Sequence, residues 1–160
     1  MPPQTPYSHV LGTREPMTTI RETIAGVAAL TASWSVDDLE RTYAPGKWSA
    51  RQIVTHLAQA EIALGTRARM TLVTPGYAAP GFEQDAWMAR EAGLGALVAR
   101  EAFLALARMN LALFASLSAA DRQTPLSHPQ YGALTVDWVV HQMAGHQLHH
   151  FRQLEQIAQG

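Results

Sequence analysis

The sequence predicts an all-α fold, a four-helix bundle, on three observations. Apolar residues recur at spacings of three and four in four long stretches, the pattern of helices that bury one face. No stretch sustains the two-residue alternation of a half-buried strand. Three breaker segments, Ala44–Lys47, Thr74–Phe82 and Thr124–Gly132, separate the periodic stretches with proline and glycine.

Each element has its own warrant. Residues 1–17 form an extended, proline-containing lead-in. Ile20, Ile24, Val27, Ala28 and Leu30 mark a first helix from about Thr18 to Trp34. Ser35 caps a short helical turn over Val36-Asp37-Asp38-Leu39, because its hydroxyl can accept from the free amides of the first turn. Ser49 caps a second long helix running to about Leu72, with Ile53, Leu57, Ala60 and Leu64 as its stripe. Thr74–Phe82 is a long connection, of the kind that often carries function. A third helical region covers roughly Glu83 to Leu117, bent near Gly93 and Gly95. There Leu97, Glu101, Leu104, Arg108 and Leu111 share a mixed face. The last helix spans about Thr135 to Ala158. Residues 1–160 read as one domain, with its core at about 18–158.

Composition excludes several functions. Twelve basic side chains stand against thirteen acidic ones, and Lys47 is the only lysine, so no basic patch for nucleic acid exists. Cysteine is absent, which removes disulfides, thiolate ligands and a cysteine nucleophile. No apolar run reaches the length of a membrane span, and the first residues lack the basic and apolar regions of a secretory signal. A cytoplasmic protein is the expectation.

The chemistry-bearing feature lies near the C-terminus. Four of seven histidines fall in the run His141-Gln142-Met143-Ala144-Gly145-His146-Gln147-Leu148-His149-His150. His146 and His150, spaced i, i+4, share a helix face within about 40° of each other, in the sector of Val139, Met143 and Ile157. His56 points inward from the second helix. Buried imidazoles need partners, and one divalent metal ion would satisfy all three; hydrogen bonds to one another or to water are the alternative. His141 and His149 lie off that face and read as surface residues. His9 and His128 fall in loops and receive no role. The pair is not a zincin motif, since Gln147 replaces the glutamate that serves there as general base.

Two phrases reach the same residues. Gly46-Lys47-Trp48-Ser49-Ala50-Arg51-Gln52-Ile53-Val54-Thr55-His56-Leu57 and His146-Gln147-Leu148-His149-His150-Phe151-Arg152-Gln153-Leu154 resemble the two signatures of the DinB-like (DinB/YfiT-like) family. The resemblance covers about residues 18–158. It implies an up-down-down-up bundle with the long loop as the crossover between helices 2 and 3. It implies a divalent metal, zinc or nickel, on His56, His146 and His150, and a homodimer. It also implies a water- or thiol-activating chemistry, since relatives include thiol S-transferases using low-molecular-weight thiols and mycothiol-dependent isomerases. Gln147 departs from the family, where an acidic residue is common.

Two functions follow. In the first, three neutral imidazoles leave a coordination position open, and the metal activates a water or a low-molecular-weight thiol as a hydrolase or thiol S-transferase would. Trp48, Tyr77, Phe82 and Trp87 are candidates for the wall of a small-molecule pocket. No catalytic side chain beyond the ligands stands out. In the second, the bundle binds metal or a small ligand without catalysis.

Overall fold

The computed structural model describes all residues from Met1 to Gly160. In chain order the elements are α1 (Ser8–Leu11), α2 (Pro16–Leu30), α3 (Val36–Leu39), α4 (Ala50–Val73), β1 (Tyr77–Ala78), α5 (Gln84–Arg90), α6 (Ala96–Ser116), α7 (Ala119–Arg122), β2 (Pro125–His128), β3 (Gly132–Thr135) and α8 (Val136–Gln159). The four long helices α2, α4, α6 and α8 form the bundle, each of α4 and α2 packing on both α6 and α8.

Caps define the helix starts. Ser49 accepts from the Gln52 amide while the Gln52 side chain accepts from the Ser49 amide, a reciprocal box that starts α4. Ser35 and Asp38 do the same for α3, and Glu15, followed by Pro16, opens α2.

Contacts between the helices fix their directions. Arg100 near the start of α6 donates to Thr31 and to the Ala28 carbonyl at the end of α2, so α2 and α6 run antiparallel. Arg51 near the start of α4 reaches the Ala92 carbonyl just before α6, and Gly65 further along α4 meets Asn110, so α4 and α6 run parallel. Arg41, just before α4, donates to the Ile157 carbonyl at the end of α8, which makes α4 and α8 antiparallel. The result is up-down-down-up. Two parallel neighbours need a crossover the length of the bundle, and the segment carrying β1 and α5 supplies it.

The core is continuous, with Ile20, Val27, Leu39, Ile53, Leu57, Phe103, Phe114 and Leu154 sealed from solvent. Burying aliphatic and aromatic side chains of this size stabilises by about 1.5–3 kcal/mol each.

Three expectations need correction. The lead-in is not simply extended: it contains α1, whose Val10 and Leu11 are buried, and its backbone at Gln4 accepts from the Trp138 indole. The third helical region is two helices, because residues 91–95 interrupt it between α5 and α6. The two proline- and glycine-rich connections are not structureless either. β1 pairs parallel with β2, and β2 pairs antiparallel with β3, in a small three-stranded sheet. Gly132, at φ 72°, closes the β2–β3 hairpin in the left-handed region that favours glycine. Strand alternation in β2 turns Leu126 and His128 inward.

Candidate metal centre

His56 comes from α4, His146 and His150 from α8, and their ligand-capable nitrogens all lie within 4.8 Å of one another. The three side chains are buried, at 2%, 6% and 5% exposure. His56 Nε2 and His146 Nε2 stand 2.8 Å apart. Three aromatic rings enclose the cluster. Trp48 lies against His56 and stacks on His150, Phe82 stacks on His56, and the Tyr7 ring meets the edge of His146 at 5.3 Å.

Burial sets the charge of the imidazoles. It lowers the pKa of His56 to about 4, with help from His149. Burial first, then repulsion from His56, lowers His150 to about 3 against a raising hydrogen bond from Gln153. His146 is pushed well below its ordinary value by burial and by its two partners. All three are therefore neutral near pH 7, the form that ligates metal.

The hydrogen-bond pattern suits a cation. His150 Nδ1 is 2.7 Å from Gln153 Oε1, an oxygen that can only accept, so Nδ1 carries the proton and Nε2 the lone pair. That Nε2 is buried without a partner, as is His56 Nδ1. A side-chain acceptor holding the far N–H of a ligating histidine is a common support for metal sites. Nitrogens around a tetrahedral ion at about 2.0 Å stand about 3.3 Å apart, so a small spreading of the His56 and His146 rings admits one. The donor set fits a divalent metal with a position left open.

Behind the cluster, Glu61 is buried at 2% exposure between α4, α6 and α8. Its carboxylate accepts from Gln147 Nε2 at 2.6 Å and from Asn110 Nδ2 at 2.8 Å. Burial outweighs these bonds and raises its pKa to about 7. Gln147 thus ties α8 to α4 and does not face the metal position as a base.

A cavity of about 200 Å3 opens beside His56 and His146. Tyr7, Phe82, Tyr131, Trp138, Arg67 and His128 contribute to its wall, together with glutamine amides and no carboxylate. Of the four aromatic residues expected to wall a pocket, only Phe82 does so here. Trp48 lies on the histidine cluster itself, while Tyr77 and Trp87 line a separate cavity of about 140 Å3 across Phe82. His149 and His141 stay outside the cluster and are partly buried. His149 packs against Tyr7 and His150, and His141 Nδ1 lies 2.9 Å from the Asp137 carbonyl oxygen. His128 overturns its expectation: it is 6% exposed and faces the cavity, because the hairpin folds it inward. Arg67 was also missed, although it follows His56, Ala60 and Leu64 along one face of α4.

Comparison with known proteins bears on this arrangement. YfiT from Bacillus subtilis, described as a probable metal-dependent hydrolase with an unusual four-helix bundle topology, aligns at a TM-score of 0.79 and 18% identity. The alignment covers 90% of this chain and 84% of that one. A mycothiol-dependent maleylpyruvate isomerase aligns at a TM-score of 0.73 and 13% identity, over 94% of this chain and 63% of that one. Both likenesses show the fold. A protein of Oceanobacillus iheyensis, named by inference as a metal-dependent hydrolase, is 31% identical over 51 residues. That match spans 32% of this chain and only 30% of the relative's length. The family model described as the DinB superfamily matches residues 19–154, nearly the whole bundle with His56 of α4 and His146 and His150 of α8, and the chain belongs to that superfamily.

Proposed function

We infer that this chain is a metal-dependent enzyme that activates a low-molecular-weight thiol or a water for attack on a small substrate. His56, His146 and His150 would hold the ion; imidazole nitrogens suit zinc and nickel among other divalent metals, and the family resemblance points to those two. The observation that carries this function is the meeting of three neutral, buried imidazoles at the edge of a cavity large enough for a small molecule. A structural site is closed by four protein ligands, whereas three leave room for an exogenous group. A bound ion would bring the pKa of a coordinated water or thiol toward neutrality.

The chain's own residues shape the rest. Gln153 holds the His150 ring, while Phe82 and Tyr7 shield the imidazoles from bulk water. No carboxylate lines the cavity, so a zincin-like general base is missing. Hydrolysis needs proton transfers that such a base would serve; a deprotonated thiol attacks without one. This favours thiol transfer over hydrolysis. The chain has no cysteine, so the thiol comes from a cosubstrate. The cavity weighs against a bundle that only holds a metal ion, whereas a non-enzymatic binder of a small ligand would use it as well. Exposed apolar side chains on α6 (Leu97, Val98, Met109) and α4 (Ile62, Met70, Val73) support a homodimer.

Metal analysis of untagged protein, followed by a turnover screen with and without low-molecular-weight thiols, tests the assignment. Bound metal and thiol-dependent turnover are expected. Metal-dependent turnover without thiol would select water as the nucleophile, and absence of bound metal would reject the function.

A further inference from the structure

The cavity carries a second chemical feature at its far end. Arg67 is 7% exposed, lines the cavity, and has no ion pair with any carboxylate of the chain. Its one hydrogen bond runs from Nη2 to the Pro80 carbonyl oxygen at 2.9 Å. An arginine stays charged in proteins, and a guanidinium brings five N–H donors. A largely buried cation without a carboxylate partner is costly, and Arg67, which lines this cavity and the smaller one across Phe82, has N–H donors free for an anion.

His128 adds to the demand. Its Nδ1 accepts from the Gln130 amide at 3.1 Å, which places the ring proton on Nε2. That Nε2 is buried and has no partner. Burial and the neighbouring Arg67 charge lower the His128 pKa, which keeps the ring neutral and the Nε2 proton a donor near pH 7. The Gln142 amide, whose Oε1 also lacks a partner, can present either end by rotating and does not set the charge.

We propose that Arg67 and His128 form a carboxylate-binding subsite, so that the cavity takes a small carboxylic acid whose other end lies at the three histidines. The substrate class rests on the function inferred above; the subsite itself stands on the two buried donors. One cationic side chain matches a monoanion, and the planar guanidinium fork matches a carboxylate better than a dianionic phosphate would be neutralised. Arg67 and His56 are three turns apart on α4, about 16 Å along the axis, and the Arg67 Cβ tilts back toward His56. The ligand therefore separates its carboxylate from its reacting group, with Phe82 against His56 and Trp138 elsewhere in the wall.

Calorimetric binding of 3-phenylpropanoate, its neutral amide and phenyl phosphate tests this, with wild type, Arg67→Met and His128→Phe, each both metal-loaded and chelator-stripped. The acid should bind wild type about tenfold tighter than the amide, with or without metal. Arg67→Met should remove that preference while leaving amide affinity and metal content unchanged, and His128→Phe should reduce it. Equal binding of acid and amide overturns the subsite. So does a preference that vanishes on stripping, which would put the carboxylate on the ion, or tighter binding of phenyl phosphate. If Arg67→Met does not fold, the wild-type ratio in stripped protein and the His128→Phe result decide. Loss of metal binding in wild type would reject the catalytic function, while the acid-to-amide ratio would still test the subsite independently.

Discussion

At the residue scale, five neighbouring histidines divide into three that converge and two that do not. His56→Ala, His146→Ala and His150→Ala should each abolish stable metal binding, since two imidazoles hold a divalent ion far less tightly than three. His141→Ala and His149→Ala should keep wild-type metal content, because neither joins the cluster. Metal per chain across the five variants checks this, and full occupancy in His146→Ala would show the ligand set to be wrong. The inward sector of His146 and His150 was legible because helical periodicity converts spacing into direction. Glu61 left a readable trace as well: it sits between Leu57 and Leu64 on a buried stripe. Its raised pKa has a definite sign. The unfolded carboxyl ionises near its ordinary value and the folded one near 7, so Glu61 favours the fold at low pH, and that contribution is lost as pH rises through about 7. Glu61→Gln should therefore raise stability at pH 8 by up to about 3 kcal/mol and change little at pH 4. The unpartnered Gln147 Oε1 can accept from the new amide. Urea melts at the two pH values decide; equal effects at both would mean the carboxyl titrates normally.

At the element scale, the N-terminal segment and the β2–β3 hairpin bring walls to the cavity that helix patterns do not reveal. Strand pairing between residues 77–78 and 126–127 is non-local, and a four-residue strand carries too little alternation to stand out. That is why His128 read as a loop histidine. The docking of the N-terminal segment depends on a glycine in the middle of α8. A Cβ at Gly145 would come within 2.6 Å of the Tyr7 Cβ and 2.9 Å of its carbonyl oxygen. Backbone cannot yield as a flexible side chain does, so Gly145→Ala should lift Tyr7 off His146. The expected cost is about 1–3 kcal/mol, in the range of overpacked cores, despite the better helix propensity of alanine. Hydrogen exchange should show lost protection at Val10 and Leu11, with the rest of α8 unaffected. Unchanged exchange there would mean that the segment is not held by this contact.

At the scale of the whole molecule, the four helices place their polar chemistry inside the bundle, and folding is consequently coupled to protons and metal together. In the metal-free protein the cluster histidines are neutral when folded but titrate normally when unfolded. Their folded pKa values are lowered, to about 4 for His56 and about 3 for His150, so the unfolded chain takes up protons first as pH falls. The histidine contribution to stability should be fully present above about pH 6.5, the ordinary histidine value, and be lost progressively down through pH 4. His56 alone accounts for up to about 3 kcal/mol of that loss. Metal adds a separate contribution, because a ligand bound only to the folded state stabilises it. Sequence alone suggests that metal affinity weakens below about pH 6.5, where a free imidazole protonates. Burial changes that expectation: protons reach the folded imidazoles only near pH 4, so the ion should hold well below 6.5. The melting temperature of both forms should therefore fall between pH 6.5 and 5 while the gap between metal-loaded and chelated protein stays constant. The gap should close only as pH approaches 4. Calorimetric scans of the two forms across that range separate the cases. A gap that closes already at pH 6.5 would show that the imidazoles protonate as exposed ones do, and a gap of zero at pH 7 with confirmed metal loss would remove metal from the stability of the fold altogether.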